Sequence, residues 1–166
     1  MIEQILSTFK FKEEAEINPE TGWKIFRETG NRFQFEYPSI YTRDLTSDTF
    51  KAKTDTINIL IVGVSNKLFG DYSYTALGGT TYSFDVETNQ WDTPGFTKVN
   101  ASIEAYKIGF VDAGCVGDIV VIPHPTYSYV VEVHNLWCQN IATEGQIPPA
   151  VQELSTEDFL KTFTFL

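Results

Sequence analysis

Apolar and polar residues alternate along much of this chain. Phe33, Phe35 and Tyr37 alternate with Arg32, Gln34 and Glu36, which puts three aromatic rings on one face of a strand and the polar side chains on the other. Residues 23–28 form a second strand-like run, joined to 32–37 by Thr29-Gly30-Asn31; this three-residue loop predicts a hairpin with Gly30 supplying a positive φ. Pro38 ends the strand. Residues 57–64 are almost wholly apolar, the pattern of a strand covered on both faces. Residues 80–87, 103–110, 117–122 and 127–134 complete seven predicted strands, with no long helical period between them. Consecutive strands on short connections pair antiparallel, so helices near the chain ends are expected to cover the sheet. The fold class predicted is α+β: one antiparallel sheet of about six to eight strands covered by helices, an α/β/α sandwich.

Two segments carry a helical period. Ile2, Ile5, Leu6 and Phe9 follow the i, i+3, i+4, i+7 spacing of one apolar face, and near the other end Ser155-Thr156-Glu157-Asp158 is a helix start, with Ser155 as cap and Asp158 as its acidic partner. The two segments resemble each other. Glu3-Gln4-Ile5-Leu6-Ser7-Thr8-Phe9-Lys10-Phe11 returns 154 positions later as Glu157-Asp158-Phe159-Leu160-Lys161-Thr162-Phe163-Thr164-Phe165, with Glu, Leu, Thr and two Phe at the same offsets. A compact domain has one place for such a segment. The second copy therefore belongs to a neighbouring repeat, swaps into another molecule, or packs as an extra helix. Residues 12–22 are polar and acidic and contain Pro19 and Gly22, so they read as a linker between the copied segment, 1–11, and a domain proper at 23–166.

Composition narrows the function classes. The 166 residues are 42% hydrophobic and 14% aromatic, enough for one domain with a substantial core and too apolar for disorder. Net charge is −10, and it is unevenly spread: residues 54–166 hold four Lys/Arg against thirteen Asp/Glu, with none of the four between Ile108 and Leu160. Such a surface is repelled by phosphate backbones and anionic lipid, so nucleic acid is not an expected partner. No apolar run reaches 18 residues and no signal peptide is present, so no membrane span is expected and any targeting segment lies outside this sequence.

A set of motifs resembles a known family. Trp23, then Phe33-Gln34-Phe35-Glu36-Tyr37-Pro38-Ser39, the Asp112-Ala113-Gly114-Cys115 turn, Ile122-Pro123-His124-Pro125 and the closing Phe159 to Phe165 look like the PsbP-like domains of bacterial envelope proteins. The resemblance covers about residues 22–166. It implies an antiparallel sheet sandwiched by helices, shared with an extrinsic protein of the oxygen-evolving complex and a Ran-binding import factor. It also implies an exported or lipid-anchored, extracytoplasmic protein without a catalytic motif, and fold analogy supplies no chemistry.

Candidate chemistry is sparse. Cys115 and Cys138 flank the last hairpin; if it turns at Thr126-Tyr127, paired positions sum to about 253, as 115 and 138 do, which places the cysteines within disulfide reach. They read either as a disulfide or as two buried free thiols. His124, between two prolines, and His134, about five pairs beyond the turn, lie too far apart along the ladder to share a metal; a zinc site would need Asp112 or Asp118. There is no Gly-x-Ser-x-Gly elbow, and no Lys-Ser/Thr follows Gly78-Gly79 to make a phosphate loop. No catalytic residue and no cofactor is assigned. The stretch 71–96, with Tyr72, Tyr74, Tyr82, Trp91 and Phe96 beside Asp85, Glu87 and Asp92, is a candidate exposed surface for a sugar, another small ligand or a basic protein partner. The reading that aromatic residues favour in general is the plainer one, in which Tyr82 and Phe84 split between the faces and Trp91 plugs the sheet edge. The chain is accordingly expected to be a non-enzymatic binding module, with an acidic divalent-cation-binding domain as the alternative.

Overall fold

The computed structural model describes residues 15–44, 46–53, 56–112, 114–139 and 154–166. In chain order the elements are β1 (Lys24–Arg27), β2 (Phe33–Tyr37), β3 (Thr42–Asp44), β4 (Thr49–Lys53), β5 (Thr56–Ser65), a 3-10 turn (Phe69–Asp71), β6 (Ser73–Thr75), β7 (Thr81–Asp85), β8 (Gln90–Trp91), β9 (Thr97–Lys98), β10 (Tyr106–Asp112), β11 (Cys115–Pro123), β12 (Val130–Gln139), helix α1 (Thr156–Thr162) and β13 (Thr164–Phe165). The copied segment 1–11 lies outside the described residues.

The centre is a seven-stranded antiparallel sheet in the order β3-β4-β5-β12-β11-β10-β9. The chain meanders through β3, β4 and β5, crosses one face as β6–β8, and re-enters at the far edge. There β10, β11 and β12 zip back until β12 lies beside β5.

Two separate apolar cores lie on its two faces. On one, the sheet β1-β2-β13 and α1 pack Phe26, Phe33, Phe35, Phe159, Leu160 and Phe163 onto Phe50, Leu60, Val62, Val120, Ile122, Val131 and Val133. On the other, β6-β7-β8 lays Phe84, and the 3-10 turn that precedes it lays Phe69 and the following Tyr72, over Tyr106, Val121 and Val130, with Phe69 stacked on Phe84 at 4.3 Å.

The predicted α/β/α sandwich is therefore wrong. The protein is mostly β, with one helix among the described residues, and the layers over the central sheet are two three-stranded sheets, one of them assisted by that helix. Alternation shows that a face is apolar; it does not say what will cover it. The strand over residues 57–64 is the second correction. In β5, Leu60 and Val62 are buried whereas Ile61, on the opposite face, is 39% exposed, so one face of this strand is only partly covered.

Local signals fare better. The β2 side chains alternate buried and half-buried, with Phe33, Phe35 and Tyr37 inside. In the β1–β2 loop it is Asn31, at φ 55°, that takes the left-handed conformation rather than Gly30; the short Asn side chain tolerates it. Residues 15–22 are less independent than a linker: Ile25 N–H bonds the Glu16 carbonyl, and Ile17 bridges Lys24. At α1, Ser155 Oγ accepts the Asp158 N–H at 3.0 Å, the predicted cap, and donates to the Asp158 carboxylate at 2.8 Å, so that the acidic partner holds the capping hydroxyl. Lys107 reaches Glu157 at 3.0 Å and ties the helix to β10. Cys115 and Cys138 stand opposite each other in the β11–β12 ladder and are joined as a disulfide.

Candidate functional site

The second core stops short of the whole face. From its edge, where Ile108 packs on it, cross-strand rows of the central sheet run Ile108–Ile119–His134–Ile61 and Phe110–Gly117–Leu136–Ile59. A cleft of about 490 Å³ opens here, lined by Ser73, Tyr74, Thr75, Leu77, Phe110, Glu132 and His134. Leu77 is 72% exposed at its rim.

Its polar centre comes from β12. Val131 and Val133 point into the first core, so the pleat turns Glu132 and His134 together onto the cleft face. Glu132 Oε1 and His134 Nε2 are 2.7 Å apart, and Tyr72 OH donates to Glu132 Oε2. Burial pushes the Glu132 carboxyl up, but the hydrogen bonds from His134 and Tyr72 and the charge of His134 outweigh it, leaving the group below its ordinary value of 4.5. Glu132 is thus ionised at neutral pH and can only accept, so Nε2 carries a proton and Nδ1 is the nitrogen that can accept from a ligand when the ring is neutral. Tyr72 moves the other way. Burial first, then the Glu132 charge and hydrogen bond, raise its hydroxyl far above the usual tyrosine range and keep it a donor. Tyr74 stands edge-on to His134 at 6.5 Å and is held from behind by Phe96 at 5.8 Å; burial, then the Glu132 charge, raises its hydroxyl too.

A pH prediction follows from Glu132. Its folded value lies below its unfolded one, so between the two the unfolded chain binds more protons; the stability it contributes is complete above about pH 4.5 and is lost as pH falls through the folded value. Melting temperature measured against pH should fall less steeply on the acid side for Glu132→Gln than for the parent. Parallel acid limbs would show that the carboxylate contributes nothing.

The structure divides the residues singled out in the sequence. Tyr74 lines the cleft, whereas Tyr72 is buried in the second core and acts on the cleft only through its hydrogen bond to Glu132. Trp91 stacks on Phe96 at 4.2 Å and stands edge-on to Phe84 and Tyr106, so it belongs to the second core rather than to a surface; Phe96 is itself buried. The candidate aromatic surface over 71–96 is therefore largely interior, as the alternative reading has it. Asp85 Oδ1 accepts the N–H groups of Glu87 and Thr88, and Asp92 Oδ1 accepts that of Ser83; both acids fasten the β7–β8 hairpin, where Glu87 is exposed. These four do not join the tyrosines.

His124 is likewise structural: its Nδ1 lies 2.8 Å from Thr126 Oγ1 and its ring stacks on Tyr129 at 4.6 Å. Among the described residues no three His, Cys, Asp or Glu side chains converge on a point that could hold a metal ion. Sequence reasoning missed Glu132, Ser73, Thr75, Leu77 and Phe110, and weighed His134 only as a zinc ligand. One signal was available. In Val131-Glu132-Val133-His134 the two polar residues sit two apart between valines, which places them on one face of a buried strand.

No family model, curated protein or solved structure matches this chain. Among the described residues no helix is long and apolar enough to cross a membrane.

Proposed function

We propose that this chain is a non-enzymatic binding module of the cell envelope, holding a small ligand with an apolar face and a hydrogen-bonding rim, such as a sugar ring, in the cleft of β6, β10 and β12. The observation that carries the reading is the Glu132–His134 pair set among Tyr74, Leu77 and Phe110 on the open part of the sheet. Tyr74 offers a ring held from behind, Ser73 and Thr75 hydroxyls line the same cleft, and Glu132 is oriented before any ligand arrives, so little entropy is lost on binding. The envelope assignment draws on the Cys115–Cys138 disulfide, which is compatible with an oxidising compartment, and on the PsbP-like motifs at Phe33 to Ser39 and Phe159 to Phe165. The divalent-cation alternative has no converging ligand set among the described residues to favour it.

The test is an NMR titration of the chain with a panel of mono- and disaccharides. A binding sugar is expected to move the Tyr74 ring and His134 imidazole signals, and Tyr74→Ala should weaken that binding at least about tenfold, the scale of losing one stacked ring. A panel that shifts neither residue, or binding indifferent to Tyr74→Ala, overturns the assignment.

A further inference from the structure

The closing segment lies in a groove built by β2. Phe159 meets Phe35 at 4.9 Å, Phe163 stacks on Phe33 at 5.2 Å, Leu160 is fully buried, and Phe165 pairs with Phe33 in the ladder. The Thr162 hydroxyl accepts the Glu36 N–H at 3.0 Å, and Glu157 pairs with Lys107. All of these contact positions but Phe159 carry the same residue in the N-terminal copy. At the same offset Glu3 answers Glu157, Leu6 Leu160, Thr8 Thr162, Phe9 Phe163 and Phe11 Phe165, with Ile5 in place of Phe159. Two of the positions that change, Ser7 for Lys161 and Lys10 for Thr164, fall where the closing segment is exposed. The other two, Gln4 for Asp158 and Ile5 for Phe159, exchange a polar residue for a polar one and an apolar residue for an apolar one.

We infer that the β2 groove is a docking site for residues 3–11 of a second copy of this chain, which replace α1 and β13. Reach favours the second copy over the same one. Ile17 bridges Lys24, whose partner is Tyr37, so the chain enters the small sheet three strand spacings away from β13 and four residues along β2 from Phe33. That is about 20 Å, and the six steps from Phe11 to Ile17 cover about 20 Å only when fully stretched across the sheet. A second molecule carries no such restriction. The resident segment holds the advantage of its tether and of Phe159 over Ile5, so exchange becomes visible when that segment is weakened. This inference is independent of the cleft.

Cross-linking between full-length chains tests it. Gln34 faces Thr164 in the ladder, and Lys10 is the counterpart of Thr164, so a Lys10→Cys chain is mixed with a Gln34→Cys chain, the native cysteines being already joined. Weakening the acceptor with Leu160→Ala and Phe163→Ala should raise the yield of disulfide-linked dimer at least about tenfold, and Leu6→Ala with Phe9→Ala in the donor should abolish the gain. The milder Phe163→Leu acceptor gives the same comparison if the double variant does not fold. A single chain with Gln34→Cys and Thr164→Cys shows that the position can link. Linking in that control without linked dimers, or dimers indifferent to the donor substitutions, overturns the inference.

Discussion

Gly117→Ala is expected to destabilise the protein by about 3 kcal/mol or more, the sum expected of overpacking and a backbone conformation that only glycine adopts easily. Gly117 lies in β11 between Phe110 of β10 and Leu136 of β12, at φ 158°. A Cβ there would not stand clear of the sheet. It would point into the neighbouring strand, 2.2 Å from the Asn135 carbonyl oxygen and 2.9 Å from Leu136 Cα. Neither atom is the end of a side chain that can swing away, so β11 and β12 must part or bulge, and both belong to the centre of the seven-stranded sheet. Urea denaturation should show a large loss of midpoint, and the Glu132–His134 geometry next along β12 should be disturbed with it. A Gly117→Ala protein as stable as the parent would mean that β11 and β12 do not approach each other closely at this position.

Phe35→Ala is expected to cost about 3–5 kcal/mol, as for other fully buried aromatics cut back to alanine. Phe35 is 0% exposed and stands where three layers meet: Phe26 of β1 at 4.9 Å, Phe50 of β4 at 5.5 Å and Phe159 of α1 at 4.9 Å. The surrounding rings come from different elements, so none can follow into the void without breaking its own packing, and collapse will be partial. Thermal unfolding should register a drop of well over ten degrees, or no cooperative transition at all. The same substitution removes the wall on which Phe159 rests, which couples it to the groove: cross-linking by the N-terminal copy should weaken along with the hold on the resident segment.

Much of this architecture is local in origin and therefore visible in the residues. The period-2 placement of Phe33, Phe35 and Tyr37 is enough to orient β2, because successive side chains of a strand must point to opposite faces. Ser155 and Asp158 sufficed for the start of α1, since a cap needs only neighbours three apart. The β5 run misled for an instructive reason. Ile57, Ile59 and Ile61 are apolar on a face that the three-stranded sheet β6–β8 only partly covers, and nothing in an apolar residue records whether its cover arrives. The aromatics over 71–96 left two readings open, exposed surface and core, and the interior one holds for most of them: Asp85 and Asp92 fasten the β7–β8 hairpin, while Phe84 and Trp91 turn inward to Phe69 and Tyr106.

By itself the sequence determined seven of the strands, the inward face of β2, the helix start and the repeated closing segment, because each depends on spacings of two to four residues or on direct likeness between segments. The short strands β3, β6, β8, β9 and β13 carry too few residues to show a period, and neither they nor β4 are among the seven predicted. Only the tertiary structure decided that sheets rather than helices form the outer layers, and that Ser73 to Leu77, Phe110 and Glu132–His134 share one cleft. Those outcomes depend on which strands lie side by side, and strand order is set by the burial of whole faces against one another, a quantity spread over the chain and held by no short stretch of it.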